Sequence, residues 1–487
     1  MSILTVFHDG SVSSLSFSGM PRLSDVLTEY GLGIHSPCGG RGVCGKCAVE
    51  ISGRISAPDD RETAAGTRLA CRVRLQGNAT VHLPFQPKTE ALGIQAGVSE
   101  PEAGAFNIPT DVIGVADIGT TTIAAAFFDA ENGKLISTQS ADNPQCSVSA
   151  DVIGRISAAL NGQGKRLQNM ITFCLKSMAA QSGFDASLRR WILTGNTTML
   201  TLLAGFSPLA LSRAPFKAAY LFDQQMEIDG TPAYFPPCAH AFIGADALCA
   251  LLFSGIYQKK TETCLLCDVG TNGEILLWKN SICYAASAAA GPALEGAGIR
   301  YGCRGIPGAI DRVAVMGGRW IANTIGGGKA VGICGSGLLD AVACGLETGV
   351  ISPEGFMEEP LCLRDGIVLL PEDIRQVQLA KAALRAGIEM LLQKTDTKAE
   401  EIHQLILCGG FGSKLNPISA ARIGMIPFEL LPRTKEIGNA ALSGAAMLMQ
   451  EENKEKLRQL RNSLIYFSLG GDPEFDRLYL NRISFPR

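Results

Sequence analysis

The feature that most constrains the fold is a motif that occurs twice in the second part of the chain. Val112–Ala126 (VIGVADIGTTTIAAA) has the pattern of an apolar strand, a turn rich in Gly and Thr, and a second apolar strand. Cys264–Leu277 (CLLCDVGTNGEILL) repeats this plan at a constant offset of 151 residues, and each copy continues into a third strand. A unit of this size cannot bury its apolar faces alone, so the repeat predicts two related α/β lobes that face each other. The matched positions are Asp117 and Asp268, Gly119 and Gly270, and Thr120 and Thr271.

Charge and hydropathy exclude several classes of partner. The 487 residues include 43 Lys and Arg against 46 Asp and Glu, and the net charge of -3 gives no basic surface for nucleic acid or an anionic membrane. The chain is 46% hydrophobic but has no apolar run of the roughly 18 residues that a membrane-spanning helix needs. The first ten residues lack the features of an export signal, so a cytoplasmic location is expected. In a reducing compartment the 16 cysteines are metal ligands, reactive thiols or core residues.

The distribution of cysteines divides the chain into two parts. Four lie between Cys38 and Cys71, none lies between Cys71 and Cys146, and the other twelve follow. Residues 86–109 contain three prolines and three glycines without strong periodicity, which is typical of a linker. The part after it is too long for one core, which predicts two lobes. The predicted units are a small domain at 1–85, the linker at 86–109, a two-lobed domain at 110–450 (lobes about 110–260 and 261–450), and a C-terminal helix and tail at 451–487.

Four cysteines in the first part have the spacing of metal ligands. Cys38, Cys44 and Cys47 lie in a glycine-rich loop, CGGRGVCGKC, and 23 residues separate Cys47 from Cys71. Glycines let such a loop curl and direct N–H groups toward sulfide, while a distant strand end supplies the fourth thiolate. Structural zinc also takes four thiolates, although zinc ribbons usually pair two CxxC knuckles and this loop has one. The set resembles that of the 2Fe-2S ferredoxins, which implies a 2Fe-2S cluster in a β-grasp domain.

Three glycine-rich segments in the second part each follow an apolar strand: DIGTTT from Asp117, DVGTNG from Asp268 and GGFG from Gly409. Glycine permits close approach of a phosphate, Thr hydroxyls and backbone amides donate to its oxygens, and a strand-end carboxylate holds hydrated magnesium. The segments resemble the two phosphate loops and the adenosine motif of the acetate and sugar kinase, heat-shock chaperone and actin superfamily. This resemblance implies a two-lobed, actin-like (ribonuclease H-like) α/β ATPase that binds ATP and Mg²⁺. The implied contacts are the carboxylates Asp117 and Asp268, with Gly119, Thr120, Thr121, Thr122, Gly270, Thr271, Asn272, Gly409, Gly410 and Phe411 at the nucleotide.

Three other places in the second part have two interpretations each. Asp246, in GADAL ahead of the second repeat, either orients the attacking water as a catalytic residue or is a helix N-cap. Gly335 and Ser336, in GICGSG, either wrap a phosphate at a helix start or form a tight turn. Lys381, on an amphipathic helix from Arg375 to Gln393, either reaches the adenine or is a solvated lysine.

A ferredoxin-type domain fused to an ATPase of this superfamily is an unusual pairing, and here the chain resembles the reductive activators of corrinoid proteins. The family implies an ATP-hydrolysing oxidoreductase of anaerobic metabolism that passes one electron from a 2Fe-2S cluster to cobalt(II), which regenerates cobalt(I) for methyl transfer. The implied partners are a corrinoid protein of a methyltransferase system and an upstream low-potential electron donor, and a homodimer is compatible with the resemblance. The likeness runs in order through GNTTM (195–199), FIGAD (242–246), AAGPALEGAGI (289–299), GICGSGLLDA (332–341), GGFG (409–412) and IGNAAL (437–442).

Three other functions use some of the same features. An activator of a 2-hydroxyacyl dehydratase or aromatic-ring reductase also couples this ATPase fold to electron transfer, but it needs no appended ferredoxin. A small-molecule kinase with a redox-sensing ferredoxin domain requires a substrate pocket that no motif here specifies. A non-catalytic nucleotide-dependent binding module has no need for the carboxylates Asp117, Asp246 and Asp268.

Overall fold

The computed structural model describes residues 2–83 with short gaps (9–10, 31, 33, 35–39, 41, 43–44 and 66–67), then residues 110–410 and 415–487. The predicted linker at 86–109 therefore lies outside the described residues, as do Cys38, Cys44 and Phe411. Within the described residues, no helix is both long enough and apolar enough to cross a lipid bilayer.

The N-terminal domain is a five-stranded sheet with one main helix on it, which confirms the β-grasp prediction. Strand order is β2-β1-β5-β3-β4, with β1 and β2 in an antiparallel hairpin and β1 parallel to β5. Alternation along β1 turns Leu4 and Val6 inward, where they pack with Leu23 and Leu27 of α1. The elements are β1 (Ser2–His8), β2 (Ser11–Phe17), α1 (Leu23–Glu29), β3 (Ala48–Ile55), α2 (Asp60–Ala65), β4 (Arg68–Leu69) and β5 (Leu75–His82).

The next lobe, lobe I, is built on a six-stranded sheet of order β10-β11-β9-β6-β7-β8. The strands β6, β7 and β8 are joined as antiparallel neighbours, and β9 returns parallel to β6 after two helices. Its elements are β6 (Val112–Ile118), β7 (Thr122–Asp129), β8 (Leu135–Asp142), α3 (Val152–Ala158), α4 (Gly164–Gln181), β9 (Leu188–Gly195), α5 (Thr197–Leu203), β10 (Gln224–Ile228), β11 (Thr231–Phe235) and α6 (Ala245–Ser254).

Lobe II has a second six-stranded sheet, of order β21-β20-β12-β13-β14-β22, and two small sheets beside it. Its first elements are β12 (Thr263–Val269), β13 (Gly273–Lys279), β14 (Ile282–Ala288), β15 (Ala309–Met316), β16 (Arg319–Thr324), β17 (Gly332–Ile333), α7 (Gly335–Glu347), β18 (Leu361–Arg364), β19 (Ile367–Leu369) and α8 (Pro371–Lys394). Those that follow are β20 (Ile402–Cys408), α9 (Pro417–Arg422), β21 (Thr434–Glu436), α10 (Ala440–Met447), α11 (Glu451–Asn462), β22 (Leu464–Tyr466) and α12 (Pro473–Asn481).

The two large sheets confirm the repeat predicted from sequence. The series β9-β6-β7-β8 in lobe I matches β20-β12-β13-β14 in lobe II, with the same parallel and antiparallel neighbours. In each lobe the first strand of the repeat ends beside a similar turn, Gly-Thr-Thr in one copy and Gly-Thr-Asn in the other. The aligned turns place both glycine-rich segments between the lobes.

Two helices lie between the sheets and join the lobes through one apolar core. This core takes Val115 and Ile192 from lobe I and Leu266 and Ile406 from lobe II, together with α6 and α10. A Cβ added at Gly444 of α10 would overlap the Cys249 carbonyl oxygen of α6, so the two helices cross at a distance that only glycine allows. Although α10 belongs to lobe II in the sequence, it therefore packs against α6 of lobe I.

The C-terminal segment, residues 451–487, packs on lobe II. Its strand β22 pairs in parallel with β14 and forms the edge of the lobe II sheet. Leu478 and Phe485 are buried in the same apolar core as that sheet. Most cysteines outside the cluster loop are buried core residues as predicted, but Cys362 is exposed and Cys174 and Cys303 are half-buried.

Candidate nucleotide and iron-sulfur sites

The first phosphate loop turns between β6 and β7, directly after Asp117 and Ile118. A side chain at Gly119 would overlap the Thr122 carbonyl oxygen, which explains the glycine. Asn143 holds the turn: its Nδ2 donates to the Gly119 carbonyl and its N–H donates to the Thr121 carbonyl, both at 2.8 Å. Asn143 thus fixes the loop through two of its backbone carbonyls and does not contact its Thr hydroxyls through these bonds.

A buried arginine supports this loop from behind. Arg155 of α3 is fully buried, and its Nη2 donates to the Thr120 carbonyl at 2.6 Å while its Nη1 donates to Gln145 Oε1 at 3.3 Å. Burial lowers the pKa of Arg155, but a guanidinium starts so far above neutral pH that it keeps its charge. A fixed positive charge therefore lies behind the loop and favours an anion in front of it.

The second phosphate loop follows β12 and contacts the first across the cleft. Thr271 Oγ1 lies 3.3 Å from Thr121 Oγ1 and donates to Glu295 Oε1 at 3.0 Å. The other oxygen of Glu295, Oε2, is buried and has no hydrogen-bond partner among the described residues. The two loops are close enough for one polyphosphate to contact both.

Two further walls complete the cleft. Helix α7 begins at Gly335, and the free N–H groups of its first turn lie at the cleft wall, as an anion site requires. Gly409, at the end of β20, has φ +103°, and a Cβ there would meet the Val269 backbone. The predicted residues that line this one cleft are Asp117, Gly119, Thr120, Thr121, Thr122, Asp246, Asp268, Gly270, Thr271, Asn272, Gly335, Ser336, Gly409 and Gly410.

The carboxyl groups of the cleft lie on half-buried residues, close to one another. Burial, reinforced by the charge of Asp246, raises the pKa of Asp117 to about 7 and that of Asp268 to about 8. Burial also raises the pKa of Asp246 to about 6, and it places the pKa of Glu274 well above its ordinary range. Carboxylates in this arrangement repel one another, and a cation among them would lower their pKa values.

Asp246 lies in the first turn of α6, but the residue at the N-cap is Gly244. The N-cap interpretation of Asp246 is therefore wrong. Its Oδ1 accepts the N–H of Ala247 at 2.8 Å, so the helix start orients the carboxylate at the cleft.

Neither interpretation of Lys381 agrees with the structure. Lys381 is 1% exposed and does not line the cleft, so it is neither at the adenine nor solvated. Its Nζ donates to the Ser484 carbonyl at 2.5 Å and lies 5.1 Å from the centre of the Phe485 ring. The helical periodicity placed Lys381 on α8 but could not show that the C-terminal segment covers that face.

Sequence reasoning missed several polar residues that line the cleft, and four of them have amide or carboxyl side chains. Asn196, the N-cap of α5, donates through Nδ2 to Thr120 Oγ1 at 3.1 Å. Asn439, the N-cap of α10, donates through Nδ2 to Asp117 Oδ2 at 3.2 Å. Both asparagines lie in segments that carried the family resemblance, GNTTM and IGNAAL, and this was the available signal. The other two are Glu274 and Glu295.

Two of the four predicted cluster ligands lie side by side in the described part of the iron-sulfur domain. Cys47 and Cys71 are each 1% exposed, and their Sγ atoms are 3.3 Å apart. Gly40, Gly42 and Gly45 have φ values of +77°, +72° and +66°, the left-handed conformation that a tightly curled loop needs. No set of three His, Cys, Asp or Glu side chains forms a metal site among the described residues, which leave out Cys38 and Cys44.

Three family models match the chain in succession. The 2Fe-2S iron-sulfur cluster binding domain matches residues 6–76, the middle region of RACo matches residues 113–259, and the C-terminal domain of RACo, the ASKHA domain, matches residues 262–487. The matches confirm the order of an iron-sulfur domain and an ATP-binding, actin-like region.

Named relatives resemble the chain over its length or over half of it. Corrinoid activation enzyme RamQ of Eubacterium limosum is 27% identical over 95% of this chain and 96% of its own. The [Co(II) methylated amine-specific corrinoid protein] reductase of Methanosarcina barkeri is 28% identical over 55% of this chain and 54% of its own. The solved structure of a reductive activator for corrinoid, iron-sulfur protein has the same fold, with a TM-score of 0.72 at 22% identity over 99% of this chain and 98% of that one. The chain belongs to the RACo family of reductive activators.

Proposed function

We propose that this protein reactivates a corrinoid protein by passing one electron to cobalt(II) in a reaction that depends on ATP. The observation that carries the proposal is that one molecule holds an iron-sulfur domain and a nucleotide cleft in contact, through Lys46 of the cluster loop and Gly302 of lobe II. The names of the relatives favour this activity over that of a dehydratase activator or a small-molecule kinase.

Four thiolates fit an iron-sulfur cluster of the 2Fe-2S type. Two buried sulfur atoms 3.3 Å apart, Cys47 and Cys71, suit two ligands of a single iron, and Cys38 and Cys44 supply the other pair. When bound, the cluster supplies a one-electron donor. The buried positions of Cys47 and Cys71 keep water from that side of the site.

The acidic residues of the cleft fit a divalent cation. Asp117 and Asp268 have raised pKa values because of burial and of the neighbouring charge of Asp246, and a cation would compensate these negative charges. Since no three carboxylates converge as direct ligands among the described residues, Mg²⁺ would keep several of its waters, as it commonly does. The ion would neutralise phosphate charge.

Each wall of the cleft has a separate task in nucleotide binding and hydrolysis. The Thr120 hydroxyl, which accepts from Asn196 and keeps its own proton, and the N–H groups of both loops bind the phosphate oxygens. Asp246, with its pKa raised to about 6, accepts a hydrogen bond from the attacking water and orients it. Gly409 and Gly410 let the nucleoside approach the backbone of lobe II.

ATP is required because the electron transfer is unfavourable alone. A one-electron transfer loses a factor of ten in equilibrium for each ~59 mV that it runs uphill, and cobalt(II) of a corrinoid is harder to reduce than an ordinary 2Fe-2S centre. Closure of the two lobes around ATP supplies free energy that changes the complex with the corrinoid protein. An upstream low-potential donor then reloads the cluster.

The domain boundaries at 85, 110 and 450 and a cytoplasmic location remain predictions.

The test mixes the anaerobically purified protein with a cobalt(II) corrinoid protein, a reductant and ATP, and follows the visible spectrum. We expect cobalt(I) to appear only with ATP. The variant Asp268→Asn should keep the cluster spectrum and lose at least about a hundredfold in the rate of cobalt(I) formation, because the carboxylate that would hold the cation at the phosphates is missing. Equal rates with and without ATP, or no cobalt(I) with any corrinoid protein encoded nearby, would contradict the proposal.

A further inference from the structure

Among the described residues, a lysine that lies between two cluster ligands in sequence attaches the cluster loop to lobe II. Lys46 lies between Cys44 and Cys47, and its Nζ donates to the Gly302 carbonyl at 2.8 Å and to the Arg300 carbonyl at 3.3 Å. A half-buried ammonium bound to two carbonyls is held more firmly than a surface lysine, because it has exchanged water for fixed dipoles.

The segment that receives Lys46 is also a wall of the nucleotide cleft. Cys303 and Arg304, which follow Gly302 directly, line the cleft. Arg304 Nη1 pairs with Asp142 Oδ1 of lobe I at 2.5 Å, which makes this segment a direct connection between the lobes. A change in the separation of the lobes must therefore either break the ion pair between Arg304 and Asp142 or move the segment that binds Lys46.

The same segment is joined to the helix that faces the phosphates. The Cys303 N–H donates to the Ile333 carbonyl, and the Ile333 N–H donates to the Tyr301 carbonyl, both at 2.8 Å. Two residues after Ile333, α7 begins at Gly335 on the cleft wall. A phosphate bound at this helix start is thus two backbone hydrogen bonds away from the residues that hold Lys46.

The iron-sulfur domain also contacts lobe I. Asp25 of α1 pairs with Arg166 of α4 at 3.0 Å. The backbone of Gly40 lies between Cys71 and Ser147, because a Cβ added there would be 3.8 Å from Cys71 Cβ and 3.7 Å from the Ser147 carbonyl oxygen. The domain therefore bridges both lobes, so lobe closure cannot leave all of its contacts unchanged.

We propose that Lys46 is a positioning residue that links the occupancy of the nucleotide cleft to the reduction equilibrium of the cluster. The inference rests on the proposed function, since it assumes a cluster at the four cysteines. Reduction adds a negative charge to the cluster, and a nearby ammonium stabilises that charge more when carbonyls fix its position than when it moves in water. Nucleotide that shifts the wall at 300–304 changes the position of Lys46 and thereby the reduction potential.

The test measures the reduction potential of the cluster in the full-length protein, with and without a non-hydrolysable ATP analogue and Mg²⁺. We expect the analogue to change the reduction equilibrium about tenfold, which equals about 59 mV for one electron. Lys46→Met should abolish this change and Lys46→Arg should restore at least half of it, because arginine can also donate to two carbonyls. Lys456→Met, at a surface ion pair on α11, is the matched control and should behave as the wild type.

A second measurement follows from thermodynamic reciprocity. If the analogue changes the reduction equilibrium tenfold, then reduction must change the Kd of the analogue tenfold, and only in proteins that keep a cation at position 46. An unchanged cluster spectrum and melting temperature show that Lys46→Met is folded. No change of potential in the wild type, or an equal change in Lys46→Met, would overturn the inference. No corrinoid protein is present, so this result is independent of whether the protein activates one.

Discussion

At the scale of single residues, sequence predicted which residues line the cleft where the backbone itself forms its wall. The glycines and threonines of both phosphate loops line the cleft because their positions follow from the ends of β6 and β12. Side chains that reach the cleft from elsewhere were harder to assign. Asn196 and Asn439 are helix N-caps whose side chains also donate hydrogen bonds to Thr120 and Asp117 of lobe I. An N-cap signal in the sequence does not by itself indicate a residue that lines a binding site.

Lys381 illustrates the reverse case, a predicted site residue that is a buried structural one. Burial lowers its pKa to about 7, and the nearby Arg482 and Arg385 contribute. A basic group whose pKa falls on folding lowers the stability of the fold at low pH. This loss of stability diminishes as the pH rises from about 7, the pKa in the folded protein, toward 10.5, the pKa in the unfolded chain. Sequence could not reveal this, because the segment that buries Lys381 is 103 residues away.

Replacing this lysine by methionine should therefore stabilise the protein in a pH-dependent way. Lys381→Met is expected to raise the free energy of unfolding by about 1–3 kcal/mol at pH 7, because an apolar group replaces a buried cation. The gain should shrink by pH 10, where the wild-type lysine costs little. Denaturant unfolding of both proteins at the two pH values measures the difference. Lys394→Met, at an exposed ion pair on the same helix, should show no such trend, and a gain independent of pH would contradict the explanation.

At the scale of elements, the repeat predicted the three consecutive strands of each lobe, since each copy carries its own turn signals and apolar strands. It could not predict β22, which joins the edge of the lobe II sheet from more than 170 residues away. Nor could it predict that α6 and α10 pack together between the sheets. Such contacts depend on which apolar faces remain uncovered once the sheets have formed, and local periodicity carries no information about that.

The crossing of α6 and α10 makes Gly444 a sensitive position. Gly444→Val should lower the melting temperature by about 5 °C or more, since an overpacked core costs about 1–3 kcal/mol and here the obstacle is backbone. It should also weaken nucleotide binding, because α10 carries Asn439, the partner of Asp117. Thermal unfolding and the Kd for ATP measure the two effects.

A glycine in open surroundings provides the control for this substitution. The nearest atom to a Cβ at Gly164, the first residue of α4, is 3.8 Å away. Gly164→Ala should leave ATP binding unchanged and stabilise the helix slightly, by up to about 1 kcal/mol. If Gly444→Val were as stable as Gly164→Ala, the two helices could not cross as closely as described.

At the scale of the whole molecule, the iron-sulfur domain and the ATPase have separate cores and share a small interface. The core of the N-terminal domain contains only residues from 4 to 81, and the large cores of the lobes contain none of them. Among the described residues, the connection includes the polar contacts of Asp25 with Arg166 and of Lys46 with Gly302. Interfaces of this kind permit each domain to fold alone while a ligand in one still affects the other.

Removal of one cluster ligand should therefore separate the two functions. Cys71→Ala is expected to lose the visible spectrum of the cluster and all corrinoid reduction, because the Cys71 thiolate lies beside that of Cys47 inside the domain core as a predicted cluster ligand. Its Kd for ATP should change by no more than about tenfold, the limit set by the coupling assigned to Lys46. Cys362→Ala, at an exposed cysteine of lobe II, is the matched control and should keep both the cluster and ATP binding. If Cys71→Ala instead failed to bind ATP at all, the ATPase would depend on the iron-sulfur domain for its fold, and the two cores would not be independent.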